Sequence, residues 1–456
     1  MKVWGGELSK EAEEFTAWED IVLDAKLIYW DVFASLAHAV MLKKIGILNK
    51  EEFNCIKKGL LKVIELDKKK KFHLKPELED VHSNIEFFLS KKCGNAGKKI
   101  HTARSRNDQV ATDMLLYMKS EILEIVEITL ELCKTVEKKA SDANAPMPGY
   151  THTRKAMPTT MAHYFMAYQE MLLSDAEGLL KAYELIDKCP LGAGAGFGSI
   201  IEIDRKLVSE LLGFEEPCMN TLCAINSRGK NEYIVVSSLS AVMVGLSRMA
   251  SDLIMFSSEE FGFVELPREF CSGSSIMPQK SNPDVLELIR ANSAHLIGLQ
   301  CELACLLKGL VSGYNRDVQL SKGAVMDAVE SSKSSLKVLT KLIDGLKFNK
   351  EKMKSECSGD VFWTDITSML VKKGMPLRDA YLLVKNGESL KHLEMSEIEE
   401  VTDPEKNIKM KKHLGAPGDG SMLAALASKW KSIRKQQMRK KLKFKGRIER
   451  LATGKV

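Results

Sequence analysis

From Val110 onward, apolar side chains recur at threes and fours through Met114, Met118, Ile122, Ile125, Leu132 and Val136, with Glu and Lys between them. Such spacing puts the apolar groups on one stripe of an α-helix. The stretch predicts a helix of about thirty residues, twice the usual globular length. Comparable stretches run over residues 158–186, 232–261, 283–310 and 322–346. Five long helices in succession predict an all-α chain built round a helical bundle. Their near-continuous apolar faces predict that more than one face is covered, hence self-association through the bundle. Polar stretches at 98–107 and 348–360 lead into and out of it. Three units are therefore expected: an N-terminal helical domain (1–106), the bundle (107–355) and a C-terminal helical domain with a basic tail (356–456).

With 45% hydrophobic and 28% charged residues over 456 positions, the composition is that of an ordinary globular protein. The start is polar and acidic and shows no basic-then-apolar leader pattern, so a cytoplasmic location is expected. The most apolar run, 234–246, carries three serines and a glycine and is shorter than the roughly 20 residues that span a bilayer. A buried helix is expected there, and no membrane partner. Ten scattered cysteines without a CxxC pair predict reduced, mostly buried thiols. Nine histidines show no HExxH spacing, so neither a metal nor a cofactor is expected. Net charge is +6, but residues 429–456 hold twelve Lys or Arg against Glu449 alone, which leaves the body at about −5. Because Trp430, Ile433, Met438 and Leu442 alternate with the cations, this tail is expected to be a solvated helix with a frayed end rather than a nucleic-acid-binding arm.

The segment 271–284, CSGSSIMPQKSNPD, concentrates hydroxyls, a glycine, a cation and an amide ahead of an apolar run. Asn282, Pro283 and Asp284 predict a helix start, with Asn as N-cap and Pro at the first helical position. Free N–H groups at such a start, with Lys280, favour a carboxylate or a developing oxyanion. Ser274 and Ser275 lie ahead of it, where a hydroxyl can reach substrate. A bare GSS triplet is most often a polar loop, but eleven ordered positions from Gly273 to Pro283 outweigh that reading.

These eleven positions match the GSSxMPxKxNP signature and resemble the fumarase/aspartase superfamily. The MPQK form is most similar to the argininosuccinate lyase family, as are HTARSRNDQ at 101–109, PGYTH at 148–152, PLGAGAG at 190–196 and KGLVSGYNRDVQ at 308–319 followed by Lys322. The resemblance runs from Trp4 to Pro376. It implies three mostly helical domains, the central one giving five helices to a twenty-helix homotetramer core, with active sites shared between subunits. It implies reversible cleavage of argininosuccinate to L-arginine and fumarate, in arginine biosynthesis, without a cofactor. Ser274 would be the general base, Lys280 the cation stabilising the carboxylate intermediate, and His152, paired with Glu287, the proton donor to the leaving nitrogen. Ser105, Arg106, Asn107, Thr151 and Asn282 would hold the substrate's carboxylates and backbone. Tyr314, Gln319 and Lys322 would meet its arginine-derived end.

Departures from the family pattern bear on substrate binding. Trp18-Glu19-Asp20 replaces an Asn-x-Ser stretch, Arg154 replaces a glutamine, CAINSRG at 223–229 loses two acids, and Gln319-Leu-Ser-Lys322 loses two more. An unpaired carboxylate beside an anionic substrate is costly. Asp20 is therefore expected to pair with a cation such as Arg154. The alternatives are another fumarate-releasing lyase, such as one acting on adenylosuccinate, or a catalytically weak structural protein like the related lens crystallins.

Overall fold

The computed structural model describes residues 9–17 and 20–453. Trp4, Trp18 and Glu19 lie outside the described residues. The chain is all-α, with strands confined to short two-stranded pairs. Helices α1 (Ile28–Lys44), α2 (Lys50–Lys68) and α3 (Val81–Cys93) precede the bundle. Local chemistry sets their starts. Asn49 accepts from Glu52 N at 2.8 Å while its own N–H donates to the Glu52 carboxylate at 3.0 Å. Asp80 accepts from Ser83 N at 2.8 Å.

The bundle comprises α4 (Arg106–Asp142), then a hairpin of β1 (Pro146–Thr151) and β2 (Arg154–Thr160), then α5 (Met161–Leu185) and α6 (Lys230–Phe256). A second hairpin, β3 (Ser272–Gly273) with β4 (Ser281–Asn282), leads into α7 (Asp284–Leu307) and α8 (Ser321–Asp344). Each helix expected from periodicity is present. Helix α5 starts three residues later than expected because residues 154–160 pair with β1, and Thr160 then caps the helix by accepting from His163 N at 3.0 Å. By length and composition α6 is apolar enough to cross a membrane, yet 56% of that window is buried, and it packs against α5, α7 and α8 as a core helix.

The described residues form two sizeable apolar cores and a small cluster of Ala193, Cys218, Ala224 and Ile225. The main one runs from Leu27 to Leu451, and a smaller one gathers Cys357, Phe362, Leu370, Val384 and Val401. The basic tail belongs to the first. It forms α9 (Met422–Thr453), which packs on α4 and α5 with Ile433, Gln437, Phe444 and Leu451 buried. Trp430 Nε1 donates to Leu130 O at 3.0 Å and Gln437 Nε2 to Leu123 O at 3.0 Å. Six of its cations meet acids, among them Lys429–Glu177 (3.2 Å), Arg434–Glu127 (3.1 Å), Lys440–Glu184 (3.0 Å) and Arg447–Glu210 (3.0 Å). The tail is a helix, as expected from the charge run, but one face of it is packed rather than solvated, and the acids that receive its cations lie up to 314 positions away in sequence; residues 454–456 lie outside the described residues.

A second correction concerns the thiols. Cys55 on α2 and Cys93 at the end of α3 form a disulfide, with Cα atoms 5.8 Å apart and a sequence separation of 38. Cys223, Cys301 and Cys305 are exposed rather than buried. The pairing depends on how α2 and α3 pack, which cysteine spacing does not report.

Candidate functional site

The expected site residues fall into two groups at opposite ends of the bundle. The first lies where α4, α6 and α8 begin and α7 ends. Ser105 caps α4: its hydroxyl accepts from Asn107 N at 3.3 Å and its N–H donates to Asp108 at 2.9 Å. Arg106 donates to Glu79 at 2.7 Å and to Asp80 at 3.1 Å. Lys322, at the start of α8, is buried between Asp24 at 2.7 Å and Asp20 at 2.5 Å. The other oxygen of Asp24 accepts from Val81 N at 3.0 Å, next to Asp80. Arg106 and Lys322 therefore share one polar network through the start of α3.

Asp20 does have a cationic partner, but it is Lys322 and not Arg154, which is exposed on β2. The short helix Asp20–Asp24 lies against the start of α8, a placement no local pattern announces. Burial raises the Asp20 carboxyl above its usual range against the opposing pull of Lys322. Gln319 Nε2 donates to Thr16 O at 3.0 Å, and Arg316 bonds both Gln319 (3.0 Å) and the same carbonyl (2.9 Å). Tyr314 is partly exposed, with the Arg228 guanidinium 5.4 Å from its ring centre. These two residues line a cavity of about 260 Å³ with Asn226, Ser312 and Asn315.

The second group occupies the other end, where α6 and α8 finish and α7 begins. His152 and Thr153 form the exposed tip of the β1–β2 hairpin at φ of 52° and 57°. Two positive φ values in a two-residue turn are what a type I′ hairpin demands, and for non-glycine residues they carry strain of the kind found at functional sites. Tyr150 anchors the hairpin on the rings of Phe256, Phe261 and Phe263, so Thr151 and His152 project from a fixed base.

In the signature segment, Ser272 pairs with Asn282 and Gly273 with Ser281, leaving residues 274–280 as the loop of a hairpin. The Ser274 hydroxyl accepts from Ile276 N (3.3 Å) and Met277 N (3.1 Å). Asn282 was expected to cap α7. It is instead the last residue of β4, its amide 3.5 Å from Ser272 Oγ, and Pro283 occupies the cap position with no side-chain bond. Strand pairing has taken the residue whose type favours a cap. Lys280 and Glu287 are exposed, and among the described residues no hydrogen bond or ion pair joins Ser274 to Lys280 or His152 to Glu287.

Helix α7 measures the gap between the groups. It runs antiparallel to α8, with Asn292 bonded to Ser335 at 3.1 Å and His295 to Asp327 at 2.8 Å, and its last residue, Leu307, meets Gly229 at the start of α6. Its 24 residues span about 36 Å. One chain does not bring Ser274 and His152 to Asn107 and Lys322.

Sequence reading missed a buried polar cluster beside the first group. The Nδ1 of His82 bonds Asp31 and lies 3.6 Å from Asp113, all three side chains being buried. Among the described residues this is the grouping whose ligand-type atoms lie within 4.8 Å of one another. Its cation is already the imidazolium: burial pulls His82 down, but the charge of Asp31, then of Asp80 and Asp113, outweighs it and holds the ring at about 9. Asp31 is correspondingly lowered, because His82 overcomes its burial. The raised histidine stabilises the fold fully below its unfolded value of 6.5, and that contribution disappears as pH rises through about 9. Denaturant midpoints of wild type and His82→Gln are expected to converge between pH 6.5 and 9.5. A gap that stays constant or widens over that interval rejects the charged pair.

The sequence profile of the Lyase family matches residues 6–298. Argininosuccinate lyase of Thermotoga neapolitana is 42% identical over 386 residues, covering 84% of this chain and 97% of the relative. That of Thermus thermophilus is 40% identical over 412 residues, covering 87% and 89%. Among solved structures, EDDS lyase in complex with formate superposes with a TM-score of 0.82 at 25% identity, covering 98% of this chain and 95% of that one. Class II fumarase from Schistosoma mansoni, at 16% identity and a TM-score of 0.70 over 83% and 90%, shares the fold.

Proposed function

The chain belongs to the argininosuccinate lyase family, and from that premise we infer how its own residues cleave argininosuccinate into L-arginine and fumarate. The reaction removes a proton from the succinyl carbon next to a carboxylate. The electron pair left behind is held on that carboxylate, then forms the carbon–carbon double bond as the carbon–nitrogen bond breaks. The departing nitrogen takes up a proton. A base, cations at the doubly charged carboxylate and an acid suffice.

Ser274 is the base. A serine hydroxyl is almost wholly protonated at neutral pH, so its alkoxide needs donors and cations, which Lys280 and the Ile276 and Met277 N–H groups supply on the same loop. Closing that loop over substrate excludes water and strengthens these interactions. His152, at the tip of a rigid hairpin, delivers the proton to the leaving nitrogen, with Glu287 orienting its ring. Ser105, Arg106, Asn107, Thr151 and Asn282 hold the carboxylates, and Tyr314, Gln319 and Lys322 the arginine-derived end. Arg106 and Lys322 already carry acidic partners, so they act through networks rather than as bare charges.

The observation that carries this reading is the separation of about 36 Å along α7, which one chain does not close. In a homotetramer with bundle helices packed antiparallel between subunits, the Ser274 end of one chain meets the Asn107 end of another, and each site draws on several chains. Exposed apolar positions on the bundle helices, Val244, Leu288 and Ile297, are available for that packing. The reading is tested by mixing two impaired proteins whose defects lie at opposite ends of the bundle, Asn107→Ala and Ser274→Ala, after dissociation and reassembly. Fumarate absorbance from argininosuccinate should partly recover, since hybrid tetramers contain sites with neither defect. No recovery despite hybrids verified by mass would reject shared sites.

A further inference from the structure

The carboxylate of Asp108 is completely buried in the first turn of α4 and lies between two pieces of backbone. One oxygen accepts from Ser105 N at 2.9 Å and so closes the start of the helix. The other accepts from Gly192 N at 2.9 Å and Gly194 N at 2.8 Å. Both glycines have positive φ, 86° and 60°, which turns their N–H groups toward one point. Alternating conformations of this kind make a concave anion-binding nest. A side chain at Gly192 would meet Ile203 at 2.8 Å and Arg205 at 3.0 Å, so the close approach needs glycine as well as the turn. The segment is held from behind, with Arg205 Nε bonding Leu191 O at 3.3 Å and Thr221 bonding Gly196 O at 2.9 Å. Asp108 thus ties a braced glycine-rich segment to the three residues, Ser105, Arg106 and Asn107, assigned above to hold substrate carboxylates.

We propose that Asp108 is a positioning residue for substrate binding, holding Ser105 to Asn107 in register with the 190–196 segment. The proposal rests on the reading that these three residues clasp substrate. Displacement of a clasp by about an ångström is enough to cost up to 10²-fold in catalytic efficiency. No water reaches the carboxylate to replace a lost acceptor, so each N–H left without a partner costs its full desolvation.

Titration gives the site its own signature. Burial pushes the Asp108 carboxyl up to about 6 against the three N–H groups and the nearby Arg104 guanidinium, and the buried Cys189 thiol also faces it. Protonation takes one oxygen out of service as an acceptor. Wild-type KM for argininosuccinate should therefore rise as pH falls through about 6.

In Asp108→Asn one carbonyl oxygen must serve where two oxygens did, so either Ser105 or the glycine pair loses its acceptor. The expected result is a KM raised about tenfold or more with kcat within about threefold, a thermal midpoint lowered by the unpaired N–H groups, and no rise in KM near pH 6. Asp108→Glu, which keeps both oxygens, should recover part of the loss. If Asn107→Ala raises KM but Asp108→Asn does not, the positioning role is overturned while the clasp stands. If neither raises KM, the clasp itself falls, and the proposal with it. A kcat that falls in step with the thermal midpoint marks a merely structural role and also overturns it. Should Asp108→Asn fail to fold, a wild-type KM that stays flat through pH 6 decides against the proposal.

Discussion

Ser274→Ala is expected to lower kcat for fumarate release by about 10²–10⁴-fold while KM stays within ~10-fold of wild type. Two features of the geometry lead to that split. Ser274 sits in the loop of a hairpin whose strands, Ser272–Gly273 and Ser281–Asn282, do not depend on its side chain, so removing the hydroxyl leaves the loop's frame in place. The hydroxyl's partners in the free chain are two N–H groups of its own loop, Ile276 and Met277. Those same donors are freed for solvent or substrate in the variant. Substrate is held mainly from the other end of the bundle, by groups that the substitution does not touch. Stopped-assay kcat and KM on purified protein measure the effect. Near-normal turnover would reassign the base, whereas a KM raised in step with the loss of kcat would make Ser274 a binding residue.

Asp24→Ala is expected to be the most destabilising change at the first end of the bundle, costing about 3–5 kcal/mol. Asp24 is fully buried, and one carboxylate oxygen takes the Lys322 ammonium at 2.7 Å while the other takes Val81 N at 3.0 Å. Its loss leaves a nearly completely buried ammonium with Asp20 as its remaining acid and strands the first N–H of α3. Two buried groups are then short of partners at once, which is why the effect exceeds that of an ordinary surface ion pair. Asp20→Ser should cost less, because Asp24 stays on the ammonium and Asp20 lies nearer the surface. Denaturant unfolding of Asp20→Ser, Asp24→Ala, Lys322→Met and the double variants that combine each acid with Lys322→Met gives the couplings. Equal losses for Asp20→Ser and Asp24→Ala would overturn the assignment of Asp24 as the central acid.

What could be read from the chain alone was what repeats locally. The five long helices came from spacing, because an apolar stripe every three to four residues has one solution in the backbone. The 271–284 segment and its companions identified the family, since eleven ordered positions cannot be satisfied by a generic polar loop. The start of α4 at Arg106, with Ser105 as cap and Asp108 three positions on, was open to the same kind of reading from residue types at fixed offsets but was first seen in the structure.

Tertiary structure decided everything that depends on which distant groups meet. Asn282 and Thr160 illustrate the difference: both residue types favour a cap, but only Thr160 became one, because Asn282 was taken by a strand partner ten positions back. Asp20 found Lys322, roughly 300 positions on, rather than Arg154. Cys55 found Cys93, and the basic tail found Glu127, Glu177, Glu184, Glu210 and Glu215. His82 acquired its raised pKa only because α1, α3 and α4 close around it and exclude water. The common reason is that charge and hydrogen bonding act over a few ångströms of space regardless of separation along the chain. Periodicity carries backbone conformation and apolar burial, whereas partner choice is settled by packing.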